Sequence, residues 1–242
     1  MKPEFQIDSP EPQSNPYTVP WRPRDTWLGI VLLIVISILL LLFVARNQDQ
    51  NTSLAQSVFV VLLEMIYVLP VVLILAWRRI PWSALGFGGF RASTMGLGCG
   101  LLIGAYLLII IHNVILNYFG VDTQGEEIID LFQKLDAPAW FLFVGIVVAP
   151  LVEEIFFRGF LFQGFRAHYG WVAGMLMSSA VFAAAHLDPV ALIPTFILGN
   201  VLAYLYHRSN SIWPGVILHL LVNAMGLLGA YFINQYPNLI PG

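Results

Sequence analysis

Residues 27–45 read Trp27-Leu-Gly-Ile-Val-Leu-Leu-Ile-Val-Ile-Ser-Ile-Leu-Leu-Leu-Leu-Phe-Val-Ala45, a run of 19 residues without a charge. A helix that crosses the roughly 30 Å hydrocarbon core of a bilayer needs about 20 such residues. An open strand edge has no partner for its N–H and C=O groups in lipid, so the run is read as a helix. The rest of the chain repeats the pattern. Further apolar spans are expected at Leu54–Trp77, about Ala92–Tyr118, Ala139 to about Arg166, Trp171–Leu187, Pro189–His207 and Ile212–Ile233. The predicted fold class is therefore all-α: a polytopic integral membrane helical bundle of about seven transmembrane helices, within a range of six to eight.

Composition agrees. Of 242 residues 58% are hydrophobic and only 10% charged, and the mean hydropathy is +0.78. Soluble domains carry roughly 25% charged residues. A net charge of −3 with no basic stripe gives no support to nucleic-acid binding. The single cysteine, Cys99, excludes an internal disulfide and a multi-cysteine zinc site, and its apolar setting reads as that of a small buried residue.

Four regions follow. Residues 1–26 are polar and rich in proline, unlike the basic, short n-region of a signal peptide, and read as a disordered cytosolic tail. Residues 27–138 hold three spans and an acidic external loop. That loop, 119–138, carries Asp122, Glu126, Glu127, Asp130 and Asp136 against Lys134; the helical spacing of its apolar residues predicts a short amphipathic helix at the interface. Residues 139–235 form a second group of spans, and 236–242 a short tail. Arg22, Arg24, Arg78, Arg79, Arg91, Arg166 and Arg208 fall on one side of the seven-span arrangement and Arg46 with Lys134 on the other, which puts the N-terminus in the cytosol.

Charges inside spans cost about 2.5–3.5 kcal/mol each on insertion scales. The fourth span nevertheless contains Glu153-Glu-Ile-Phe-Phe-Arg158. Glu154 and Arg158 stand at i and i+4 and can pair. Glu153 is turned about 100° away and has no partner on its own helix, which suits a general base. The fifth span ends Phe182-Ala-Ala-Ala-His186, and the seventh holds His219-Leu-Leu-Val-Asn223. One carboxylate, two imidazoles and an amide amount to a base, a partner that orients water, and donors for an oxyanion. His112 is read as a satisfied core residue; Glu64 and His112 are both candidates to line the cavity, and neither is assigned a role. There is no His-Glu-x-x-His pair, no Gly-x-Ser-x-Gly turn and no aspartate dyad within a span.

Glu153-Glu154-x-x-x-Arg158, Phe182-x-x-x-His186 and His219-x-x-x-Asn223, in this order on late spans, resemble the three motifs of the CPBP family, the CAAX proteases and bacteriocin-processing enzymes also called Abi. The resemblance covers about residues 139–226. It implies an intramembrane endopeptidase, in a prokaryotic plasma membrane, acting on a membrane-anchored protein or peptide. It implies that Glu153 and His186 activate water, that His219 and Asn223 stabilise the oxyanion, and that Glu154, Arg158 and Phe182 support them. No cofactor is expected to be required. A divalent ion such as zinc, held by Glu153, His186 and His219, is the less favoured alternative, because Asn is an unusual zinc ligand. An inactive scaffold or immunity protein of the same fold, or a transporter, are the competing functions.

Convergence of the four residues on one polar cavity, open to the cytosol or laterally to lipid, favours hydrolysis; pairing of Glu153 with Arg158 and scattered histidines would exclude it. Depth is the weak point. Counting about 1.5 Å per residue, His219 lies ~10 Å from the cytosolic end of its span and Glu153 ~20 Å from the outer end of its own. His186 falls near the outer end of a full-length fifth span, so that span must be short, be tilted or begin later.

Overall fold

The structure, a computed structural model, describes residues 17–46, 53–121, 129, 132 and 137–236. Among these residues there is no strand. The helices are α1 (Pro23–Arg46), α2 (Ser53–Arg78), α3 (Ala92–Tyr118), α4 (Pro138–Tyr169), α5 (Trp171–Ala185), α6 (Leu192–Ser209) and α7 (Trp213–Gln235). Five of them, α1 to α4 and α7, are long and apolar enough to cross a membrane. The all-α membrane bundle inferred from the apolar runs is the fold observed.

The bundle is built around α4. Half of its most apolar window is buried inside the protein, against 6–22% for the windows of the other four long helices. Phe156, Phe157, Phe160, Leu161 and Phe162 are all within 1% of full burial. Neighbouring helices therefore surround α4 with protein instead of lipid, and this is why it can carry charged groups. By contrast, the faces of α1 and α3 expose Val31, Ile34, Ile38, Leu42, Ile103 and Ile111. Such surfaces are stable only against hydrocarbon.

α4 is not uniformly wound. Val144–Val148 and Ile155–Phe162 are π-helical and flank the α-helical turn Ala149–Glu154. Pro150 has no N–H to donate to the preceding turn, and a local change of winding accommodates that gap. π segments widen the helix and are frequent at functional sites.

Several expectations need correction. Trp21 is 3% exposed and packs its ring 5.3 Å from that of Phe160, and α1 begins at Pro23, so residues 17–26 belong to the bundle and not to a loose tail. Asp25 accepts the Arg22 N–H and pairs with Arg78 at 2.6 Å, fastening the start of α1 to the end of α2. Cys99 is exposed, because α3 turns Gly98 inward against Leu205 and Leu218 and presents the next residue outward. In a membrane an apolar neighbourhood does not imply burial in protein.

The interfacial helix expected within 119–138 falls mostly outside the described residues. Of its apolar set Ile129 and Phe132 are described, both helical, and Phe132 is buried with ring contacts to Phe141 and Tyr231 at 5.6 and 5.5 Å.

α5 spans only 15 residues, ~22 Å at the helical rise, too short to cross the core. It ends at Ala185, followed by Leu187 at φ 54° and by the Val190 N–H donated to Asp188 Oδ1, a local turn that delays α6 until Leu192. α6 is closely packed on α5, with Gly199 lying against Ser179. α5 is thus shorter than the span expected from the sequence, and His186 stands directly after its last residue.

Candidate active site

Glu154 is fully buried and is the anchor of the site. Arg158 Nη1 donates to its Oε1 at 2.7 Å, and Arg158 Nη2 donates to the Gly199 carbonyl at 3.2 Å. The guanidinium also lies 4.4 Å from the centre of the Phe182 ring. One arginine thus ties α4 to α6 and to α5. His219 brings α7 to the same carboxylate, its Nδ1 lying 3.2 Å from Glu154 Oε1. A carboxylate bound to an arginine only accepts, so this contact assigns the proton to Nδ1 of His219. Gly215, one turn earlier on α7, lies so close to Glu154 Oε2 that a Cβ there would collide with it.

Glu153 follows the other course. It does not pair with Arg158. Its Oε2 is buried without a hydrogen-bond partner among the described residues, and His219 Nε2 lies 3.8 Å from it, beyond hydrogen-bond range. The one-residue rotation expected from helical geometry holds despite the π winding that follows.

His186 sits at the end of α5, where its Nδ1 meets the Phe182 carbonyl at 2.8 Å. A carbonyl only accepts, so Nδ1 carries the proton and the Nε2 lone pair is free. Phe182 is 1% exposed, and its ring stands edge-on to both imidazoles, 4.8 Å from His186 and 5.8 Å from His219. It fixes the separation of the two histidines. Asn223, one turn beyond His219, donates Nδ2–H to the Gly145 carbonyl at 2.8 Å, inside the first π segment of α4. The second amide hydrogen is not used by that bond.

These groups share one cavity of about 430 Å³. Glu153, His186, His219, Asn223 and Phe182 all line it, and Glu154 and Arg158 stand behind it. The cavity extends from the level of Glu153 to Phe141 on α4 and Pro194 on α6, toward the end of the bundle where those helices begin. Glu64 on α2 and Tyr106 on α3 also face it. Tyr106 was invisible as a site residue; with Leu102, Ala105 and Ile109 it forms a helical stripe on α3, and only the packing shows what that stripe faces. His112 does not line the cavity and contacts the Asn113 side chain at 3.2 Å.

Among the described residues no group of three His, Cys, Asp or Glu side chains is gathered closely enough to hold one ion. Nδ1 of each site histidine meets a protein oxygen, and Asn223 donates to Gly145.

A bundle of apolar helices with one cavity lined by carboxylate, imidazoles and amide is compatible with the class of intramembrane hydrolases. Residues 135–225 match the family model described as Rce1-like, type II CAAX prenyl endopeptidase. It is 27% identical over 180 residues to the "Putative membrane peptidase YdiL" of Bacillus subtilis, covering 72% of each chain. It is 27% identical over 152 residues to the "Membrane-embedded CAAX protease MroQ" of Staphylococcus aureus, covering 60% of this chain and 55% of that one. A 24.3 kDa uncharacterized protein of Escherichia coli is 34% identical over 87 residues, 34% of this chain and 40% of the other. No solved structure matches the chain. The family and these relatives support an intramembrane protease in a bacterial type of membrane.

Proposed function

We propose that the protein is a glutamate-dependent endopeptidase that hydrolyses peptide bonds of membrane-associated proteins or peptides, and that no metal takes part. The observation that carries this reading is the convergence of Glu153, His186, His219 and Asn223 on one cavity, with Glu153 free of Arg158. A water held between the Glu153 carboxylate and the Nε2 lone pair of His186 attacks the scissile carbonyl. Its proton passes to Glu153 as the C–O bond forms. The oxyanion is met by Nδ2–H of Asn223 and by Nε2 of His219. His219 faces the oxyanion with Nε2 while its Nδ1 is held by Glu154. Collapse breaks the C–N bond, and the proton on Glu153 goes to the leaving amine. Donors already in place in a water-poor cavity need little reorganisation at that moment.

The positive-inside distribution supports an N-terminus in the cytosol. The test is hydrolysis of a bilayer-tethered, fluorescence-quenched peptide by purified protein in liposomes: wild type cleaves and His186→Ala is slowed at least a hundredfold. Equal rates would reject the reading.

A further inference from the structure

Glu64 lies on α2, outside the three motifs and outside the matched segment 135–225. It lines the same cavity as Glu153, and its Oε2 is buried without a hydrogen-bond partner among the described residues. An ionisable group inside a membrane helix either pairs or serves a pathway. Among the described residues, Arg78 at the end of α2 pairs with Asp25, and Arg158 with Glu154. No described Lys or Arg lines the cavity, whose wall includes the apolar Leu102, Ile109, Leu198 and Leu227. Glu153, 8% exposed, adds a second unpartnered carboxyl oxygen facing the same space.

We infer that Glu64 is a specificity-determining residue that receives a cationic side chain, lysine or arginine, of the substrate next to the scissile bond. The inference rests on the hydrolase reading and names its substrate class. A cation there supplies the partner that the fold withholds from Glu64, and in a low-dielectric cavity the attraction is far stronger than in water. An acidic side chain in the same place would be a further carboxyl group in a space that already holds two, so selection acts by exclusion as well as by attraction. A neutral donor would satisfy Oε2 without using the charge.

The experiment compares lipid-tethered peptides that differ only in Lys, Gln or Glu beside the scissile bond, with wild type and Glu64→Gln in nanodiscs. Both cleavage, as kcat/KM, and binding, as Kd by fluorescence anisotropy, are read. Wild type should favour Lys over Gln by about tenfold or more, the worth of a hydrogen bond to a charged group. Glu64→Gln should bring the ratio to within about twofold, and Glu64→Lys should reverse it in favour of Glu. An unchanged Lys-to-Gln ratio in Glu64→Gln overturns the inference while leaving hydrolysis intact. Loss of cleavage of all peptides with binding ratios unaltered also overturns it, because Glu64 would then serve the reaction and not selection. A Glu64-dependent binding preference with no cleavage by wild type upholds the recognition and rejects the hydrolase reading instead.

Discussion

Replacing Arg158 by methionine would remove three contacts at once: the 2.7 Å bond to Glu154, the 3.2 Å bond to the Gly199 carbonyl and the approach to the Phe182 ring at 4.4 Å. Glu154 would remain fully buried, with the imidazole of His219 as its remaining polar contact among the described residues. Removing one member of a buried ion pair costs about 3–5 kcal/mol, mostly because the other charge is left uncompensated. Arg158→Met should therefore lose that much stability. The double variant Glu154→Gln with Arg158→Met removes both charges. It should recover most of the loss and stand about 2 kcal/mol below wild type, which is the lost cation–π contact plus the unsatisfied carbonyl. The assay is reversible unfolding in mixed micelles, read as a double-mutant cycle over the four proteins. The reasoning is refuted if Arg158→Met costs under about 1 kcal/mol, or if the double variant is no more stable than Arg158→Met alone.

Other outcomes follow from the same geometry. Asn223→Ala should slow hydrolysis by about 10²–10³, the usual worth of one oxyanion donor, with KM for a tethered peptide little changed. Gly215→Ala places a methyl group against Glu154 Oε2 and should push α7 away from α4, costing about 1–3 kcal/mol and lowering kcat through His219. Chelators should leave the rate within about twofold, because the proposed reaction uses a water activated by Glu153 and no metal; inactivation reversed by zinc would contradict this.

The boundaries of the long helices were legible because a bilayer demands apolar runs of fixed length, and Trp27–Ala45 states that demand without ambiguity. The relation between Glu153, Glu154 and Arg158 was legible too, because it depends on rotation about one axis. What could not be read was anything set by neighbours. Cys99 sits among apolar residues, yet faces outward, because in a membrane hydrophobicity does not distinguish protein from lipid. Glu64 was costly but ambiguous, since nothing along α2 says which helix it faces. The ring of Phe182 was paired with His186 by spacing alone, but its second contact, to His219, exists only once α5 and α7 are packed. The start of α6 moved because the backbone at Leu187 and the turn at Asp188 are local geometry that an apolar pattern does not encode.

The division of labour between two adjacent glutamates can be measured directly by comparing Glu153→Gln with Glu154→Gln, each for peptide hydrolysis in liposomes and for unfolding in micelles. Glu153→Gln should fold as well as wild type and lose about 10²–10⁴ in rate, the range of a general base. Glu154→Gln should be destabilised through Arg158 and retain measurable turnover in the fraction that folds. Full activity in Glu153→Gln, with hydrolysis abolished in a stably folded Glu154→Gln, would contradict the assignment.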